Sequence, residues 1–398
     1  MVDTLDQLFI RAGRGVVDWA PEPARPWLAA FLAAATITAV FAGLFALTTW
    51  LERKGLARIQ NRPGPNRVGP FGLLQPVADG LKMLTKEDIR PRSADQWIHF
   101  LAPLLKVVPV LLAYSVIPFG RNLVALNLDA GLLFFFAVGS ITEIAVFMAG
   151  WGSRNKYSLL GAMRAIAQLI SYEMPLVLSA LTVVLVTGTL SLPAIVDSQA
   201  GWHGGWLARW HVFTPWGLAA FALFMTAATA KTNRAPFDLP EGESEIIAGH
   251  LVEYSGFKYA LFFMGEYLSL FAISAVGITL FLGGWRAPVA FLDWVPSYAW
   301  FAVKLLACVA WFIWLRGTVP RLRADQLMNF AWKFLLPLAL VANLAAMLWQ
   351  VTANWQFAGA TLWRWVLVGA LILVPYQRLG RALLGGRTEA PRRYRFAE

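Results

Sequence analysis

Residues 29–50 read AAFLAAATITAVFAGLFALTTW, 22 positions without one ionisable side chain. A bilayer core about 30 Å thick is crossed by roughly 20 apolar residues in a helix, so this stretch predicts a membrane span. Its flanks agree: Trp27 and Trp50 suit the interface, and Glu52, Arg53 and Lys54 stop the apolar run. Eight further stretches of this kind follow at approximately 97–119, 130–150, 159–189, 213–231, 257–284, 297–316, 331–351 and 357–376. Each is a continuous Leu, Ala, Val and Phe run, not the alternation that a membrane strand requires, and only a helix satisfies its own backbone in lipid. The expected fold is an all-α integral membrane protein.

Composition points the same way. Of 398 residues 58% are hydrophobic and 14% charged, too little polar surface to cover a soluble domain of this length. A formal net charge of +11 would suggest nucleic acid in a soluble protein, but the charge is segregated. The loops 51–96, 151–158, 231–258 and 316–333 and the tail after 376 hold 24 of the 34 Lys and Arg. That is the positive-inside bias, which places the N-terminus outside, the first long loop inside and, after nine crossings, the tail inside. The basicity reads as topology, with no nucleic acid among the partners. Asp3, Asp6, Arg11, Arg14 and Asp18 break up the N-terminal segment, which therefore lacks the apolar core of a cleavable signal.

Several chemistries lack their residues. Cys308 is the single cysteine, and His99, His203, His211 and His250 lie far apart in the chain. An iron-sulfur centre takes about four thiolates, and neither GxGxxG nor GxxxxGK[ST] occurs to hold a nucleotide. No metal is expected, and no covalently bound cofactor. Electrons of any redox reaction must travel in partner subunits.

The candidate residues lie in the long basic-side connections and inside the spans. Ionisable groups at bilayer depth are costly and default to function with an interior partner. Glu143 sits in the third span and Glu173 in the fourth. Arg164, nine residues before Glu173, is about half a helical rotation away, so each needs a partner on another helix. Glu241, Glu243 and Glu245 crowd together after Pro240, and Glu253 and Glu266 continue the series toward the sixth span. Like charges so close raise one another's proton affinity, which suits proton transfer; solvated acids at a helix N-terminus are the other reading. Glu52 and Asp79 stand among Arg53, Arg58, Arg62 and Arg67, where ordinary salt bridging would satisfy them equally well. Lys106 and Lys304 can snorkel to the membrane surface.

Four segments carry a resemblance: ERKGLARIQNRPGPNRVGPFGLLQPVADGLKMLTKED at 52–88, KYSLLGAMRAIAQLISYEMP at 156–175, TNRAPFDLPEGESEIIAGHLVEYSGFKYALFFMGEY at 232–267 and RGTVPRLRADQLMNFAWKFLLP at 316–337. In this order they resemble the H-subunit family of bacterial NADH-quinone oxidoreductase, whose mitochondrial counterpart is NADH dehydrogenase subunit 1 of respiratory complex I. The resemblance covers about residues 29–351. It implies an eight-helix core in the bacterial cell inner membrane whose cytoplasmic loops 51–96 and 231–258 meet a hydrophilic arm, with antiporter-like membrane subunits alongside. It also implies a tunnel for quinone as substrate, with NADH, FMN and iron-sulfur clusters in partner subunits. The carboxylates linking this tunnel to proton translocation fall on Glu143, Glu173, Glu241, Glu243, Glu245, Glu253 and Glu266. Glu52, Arg53, Arg62 and Asp79 fall near the tunnel. Two parts exceed the family pattern: an extracytoplasmic segment at 1–28, and residues 352–398 with a ninth C-terminal helix and a basic cytoplasmic tail. The rivals are a membrane subunit of an energy-converting hydrogenase, with related loops and no quinone tunnel, and a stand-alone proton channel.

Overall fold

The computed structural model describes residues 6–238, 248–355 and 359–385. Long helices dominate it: α1 (Leu8–Val17), α2 (Arg25–Ile59), α3 (Gln75–Thr85), α4 (Gln96–Ala113), α5 (Gly131–Gly152), α6 (Lys156–Thr187), α7 (Leu192–Ser198), α8 (Pro215–Lys231), α9 (Gly256–Phe281), α10 (Ser297–Thr318), α11 (Ala324–Phe330), α12 (Leu336–Val351) and α13 (Ala360–Gly385). A π turn, Ala331–Leu335, joins α11 to α12. The only sheet among the described residues pairs Trp202–His203 with Leu207–Ala208.

Eight of the described helices are long and apolar enough to cross a membrane. The fifth expected span, α8, is shorter at 17 residues, about 25 Å at 1.5 Å per residue. All nine apolar runs are thus helical, and the chain is an all-α membrane protein.

Local signals set the boundaries. Asp95 starts α4 by accepting from Trp97 N and Ile98 N at 3.1 and 3.2 Å, and Thr214 starts α8 by accepting from Gly217 N at 3.2 Å. Both satisfy amides that a helix N-terminus leaves open. Gly188, at φ +70°, ends α6 in the left-handed conformation. Pro63, Pro65 and Pro70 interrupt any helix between α2 and α3. Beyond them α3 leaves Val77, Leu81 and Leu84 exposed, the amphipathic surface helix its sequence predicts.

Packing ranks the helices. In the most apolar stretch of α9, 72% of residues are buried, against 6% in α2 and 11% in α13, so α9 is the axis of the bundle and α2 and α13 its rim. Phe224, Phe271, Phe281 and Trp216 are fully enclosed around it.

The basic loops meet on one face. Lys258 pairs with Asp88 at 2.6 Å, Ile89 N donates to Ser255 Oγ at 2.8 Å, and Leu322 N donates to Pro236 O at 3.1 Å. On the opposite face Asp6 Oδ1 accepts from Ser297 N at 2.6 Å. There Gln199 joins the segment before α8 to the end of α9, accepting from His211 N and Gly283 N at 3.2 and 3.0 Å.

Candidate functional site

The apolar run of α8 ends in Lys231, and three residues later comes Arg234. Each of these cations enters a separate buried cluster. Lys231 Nζ lies 2.6 Å from Glu173 Oε1 of α6 and 3.6 Å from Glu143 Oε1 of α5. Ser140 Oγ donates to the same Glu173 oxygen at 2.9 Å. One cation offsets the charge of one of the two acids, as low dielectric demands, so the second acid needs a proton or a further cation.

Arg234 faces the other way. Its Nη1 donates to Glu52 Oε1 at 2.9 Å, and its guanidinium stands 4.2 Å from the centre of the Tyr267 ring. Tyr267 OH donates to Glu52 Oε2 at 2.5 Å, and Arg316 Nη1 donates to Glu52 Oε1. Glu266 Oε1 lies 3.9 Å from Arg234 Nε. Burial opposes charge on Arg234, but the carboxylate of Glu52 beside it outweighs that and raises its proton affinity above the ordinary guanidinium value. A cavity of about 20 Å³ lies among Arg234, Asp238, Glu266 and Arg316, room for a single water. At its edge Asp238 pairs with Arg321 at 2.8 Å.

The turn joining the clusters is held from behind. Gln168 Nε2 of α6 donates to Ala230 O and Phe237 O at 2.8 and 2.7 Å, and Asn233 takes φ +48°, a left-handed value that Asn tolerates. Lys106 of α4 bridges the space between the clusters: it interacts electrostatically with both Glu143 and Glu266. Its side chain passes over Gly265, where an added Cβ would lie 2.8 Å from Lys106 Cγ.

The family described as NADH dehydrogenase matches residues 32–347. The chain belongs to this family. The NADH-quinone oxidoreductase H subunit of Dehalococcoides mccartyi is 50% identical over 307 residues, 77% of this chain and 82% of the relative. That of Geobacillus kaustophilus is 50% identical over 315 residues, 79% and 90% of the two chains. That of Burkholderia ambifaria is 44% identical over 322 residues, 80% and 88%. The chain is thus a membrane subunit of an oxidoreductase complex. The matched range takes in both ion clusters and leaves out α1 and α13.

Within this family member, the residues singled out from sequence separate into groups. Glu143 and Glu173 share Lys231. Glu266 and Glu52 share Arg234. Glu253 stands apart: its Oε1 accepts from Asn155 Nδ2 at 2.6 Å, tying the loop before α9 to the start of α6. Arg53 and Asp79 form a partly exposed 2.6 Å pair. Asp79 is partly buried, which opposes ionisation, yet hydrogen bonds from Arg53 and Gln75 hold its carboxyl below the usual carboxylate range. Arg62 donates to Gln60 at 2.8 Å and joins neither cluster. Glu241, Glu243 and Glu245 lie outside the described residues. Lys304 turns inward instead of snorkelling: Nζ donates to the carbonyls of Leu282, Gly284 and Arg286 at 2.7, 2.8 and 2.7 Å and thereby closes the end of α9.

Sequence reasoning did not single out Lys231, Arg234, Tyr267, Arg316 or Gln168. One signal was available for the cations: acids at bilayer depth require buried positive partners. Lys231, Arg234 and Arg316 are the basic residues just at or beyond the ends of α8 and α10.

Proposed function

We propose that this chain is the membrane subunit of a proton-pumping NADH-quinone oxidoreductase that admits quinone from the bilayer and couples its reduction to proton translocation through buried charged residues. The observation carrying this reading is the turn from Lys231 to Arg234, which ties two buried ion clusters to one short backbone segment. Quinone reduction takes two electrons and two protons, so it changes charge near the basic face. A unit charge about 10 Å away in an effective dielectric near 20 is worth about 1.7 kcal/mol, more than a tenfold shift in a protonation equilibrium. A change felt at Glu52 and Arg234 therefore reaches Glu143, Lys231 and Glu173 both through the field and through the turn. Glu241, Glu243, Glu245 and Glu253 extend this series in the proposal.

Quinone enters between α2 and α9, beside α3, whose apolar face suits the membrane surface. Arg53 and Asp79 hold α3 to α2 there, and Arg62 lies on the same loop. NADH, FMN and the iron-sulfur clusters belong to partner subunits. The hydrophilic arm docks on loops 51–96 and 231–258, antiporter-like membrane subunits lie alongside, and the N-terminus faces outward from the cell inner membrane. Residues 29–351 are the working core; 1–28 and 352–398 are additions to it.

The test is a native gel of mildly solubilised membranes with this chain tagged. Co-migration with NADH dehydrogenase activity in a large complex supports the reading. Migration with hydrogenase activity, or alone near 44.0 kDa, overturns it. In the assembled complex, Glu173→Gln and Glu245→Gln should lower coupled activity; wild-type turnover and pumping in both would remove the coupling role.

A further inference from the structure

A cleft of about 1260 Å³ opens between α8, α10 and α11, beside the end of α13. Most of its wall is apolar, with Phe221 and Met225 of α8 facing Ala307, Trp311 and Leu315 of α10. From Lys304 to Val319 the lining covers about 22 Å at 1.5 Å per residue, enough for a headgroup and its acyl chains within a hydrocarbon core about 30 Å thick.

The end at the basic face is polar, lined by Asp325, Gln326, Asn329 and Lys333. Lys333 sits in the π turn, a rare geometry that recurs at functional sites. There Ala331, Phe334 and Leu335 are buried while Lys333 is exposed at the cleft. Among the described residues no carboxylate pairs with Lys333. Further basic residues stand on the adjoining elements: Arg323 precedes α11, and Arg378 and Arg381 are on α13. Basic pockets between membrane helices on this side bind anionic headgroups.

We propose that the cleft holds one anionic phospholipid of the leaflet at the basic face, with its phosphate at Lys333 and its acyl chains along Phe221, Met225, Ala307 and Trp311. Size and charge together select this occupant. The volume exceeds the roughly 300–1,000 Å³ of an ordinary small-molecule pocket. Quinone carries no charge for Lys333 to meet. Pro236 and Phe237 also line the cleft, so the lipid buttresses the segment that follows Arg234. This inference stands on the cleft alone and does not require the quinone reading.

The test uses the assembled complex with a photo-crosslinking amino acid in place of Ala307, an exposed lining position, and mass spectrometry of this chain after irradiation. The expected adduct has the mass of an anionic phospholipid. Its yield should fall about fivefold in Lys333→Gln, the factor for one basic residue near an anionic headgroup at about 1 kcal/mol. A quinone adduct, a cross-link to a partner peptide, a predominantly zwitterionic lipid adduct, no adduct, or a yield indifferent to Lys333→Gln would each overturn the proposal.

Discussion

Lys231 and Arg234 are three residues apart in the chain and serve different ion clusters, Lys231 closing on Glu173 at 2.6 Å and Arg234 on Glu52 at 2.9 Å. A helix end followed by a tight turn makes this possible, with Asn233 in the left-handed conformation between the two side chains. One backbone element therefore senses both clusters.

Removing one member of a buried ion pair strands the other, at a cost of about 3–5 kcal/mol. Lys231→Met should accordingly lower the amount of assembled complex. Adding Glu173→Gln to it should recover much of that loss while leaving proton pumping impaired. Native-gel band intensity and a vesicle pumping assay read the two effects separately; a double variant no better assembled than the single would contradict the pairing.

Gln168 acts only by holding the turn. Gln168→Leu removes a donor from two buried carbonyls; Ala230 O keeps Asn233 N at 3.2 Å, whereas Phe237 O loses its partner, at a cost of about 1–3 kcal/mol. Thermal inactivation of the complex should come at lower temperature and quinone reductase activity should fall, although position 168 touches neither cluster's carboxylates. An unchanged melting profile would mean that the turn is held by its own hydrogen bonds.

Gly265 leaves space for Lys106. With Gly265→Ala the new Cβ would lie 2.8 Å from Lys106 Cγ and 3.0 Å from Lys106 O, too close without movement of α4 or α9. Overpacking of this kind costs about 1–3 kcal/mol. The expected result is reduced stability with a coupled activity that falls further than electron input from NADH, measured with an artificial acceptor.

His250 is enclosed in the loop before α9, and burial lowers its proton affinity to a pKa of about 3. His211 on the opposite face is held down to about 4 by burial. Below pH 6.5 the unfolded chain binds protons at these positions that the folded chain refuses, so stability falls as pH drops from about 6.5. The slope approaches about 1.4 kcal/mol per pH unit per histidine. In His250→Leu the pH dependence of thermal inactivation between pH 5 and 7 should flatten; a profile parallel to wild type would show that His250 does not titrate on unfolding.

The Arg53–Asp79 pair should matter little to stability, since both side chains are partly exposed and pairs of that kind contribute at most about 1 kcal/mol. Asp79→Asn should move the melting temperature slightly, and less so in high salt. A large loss would place a further partner on α3 in the assembled complex.

The membrane fold was legible in the chain because it depends on local composition. A run such as 29–50 can be stable only across lipid, and the Asp95 and Thr214 caps mark where such runs start and Gly188 where one stops. Glu143, Glu173 and Glu266 were legible for the same reason: an acid inside an apolar run is anomalous whatever surrounds it. Their partners were not. Lys231, Arg234 and Arg316 stand near span ends on the basic side, where topology alone already calls for cations, so their sequence context is the same whether they face water or an acid. Glu253 is alike in this: its place near Glu266 was legible, but its partner Asn155, 98 positions away in the chain, was not. Sequence thus determined the helices, their order and the depth of the acids, which follow from transfer of each segment into lipid. Only tertiary structure decided which charges meet, because a buried ion pair depends on distances between helices far apart in the chain.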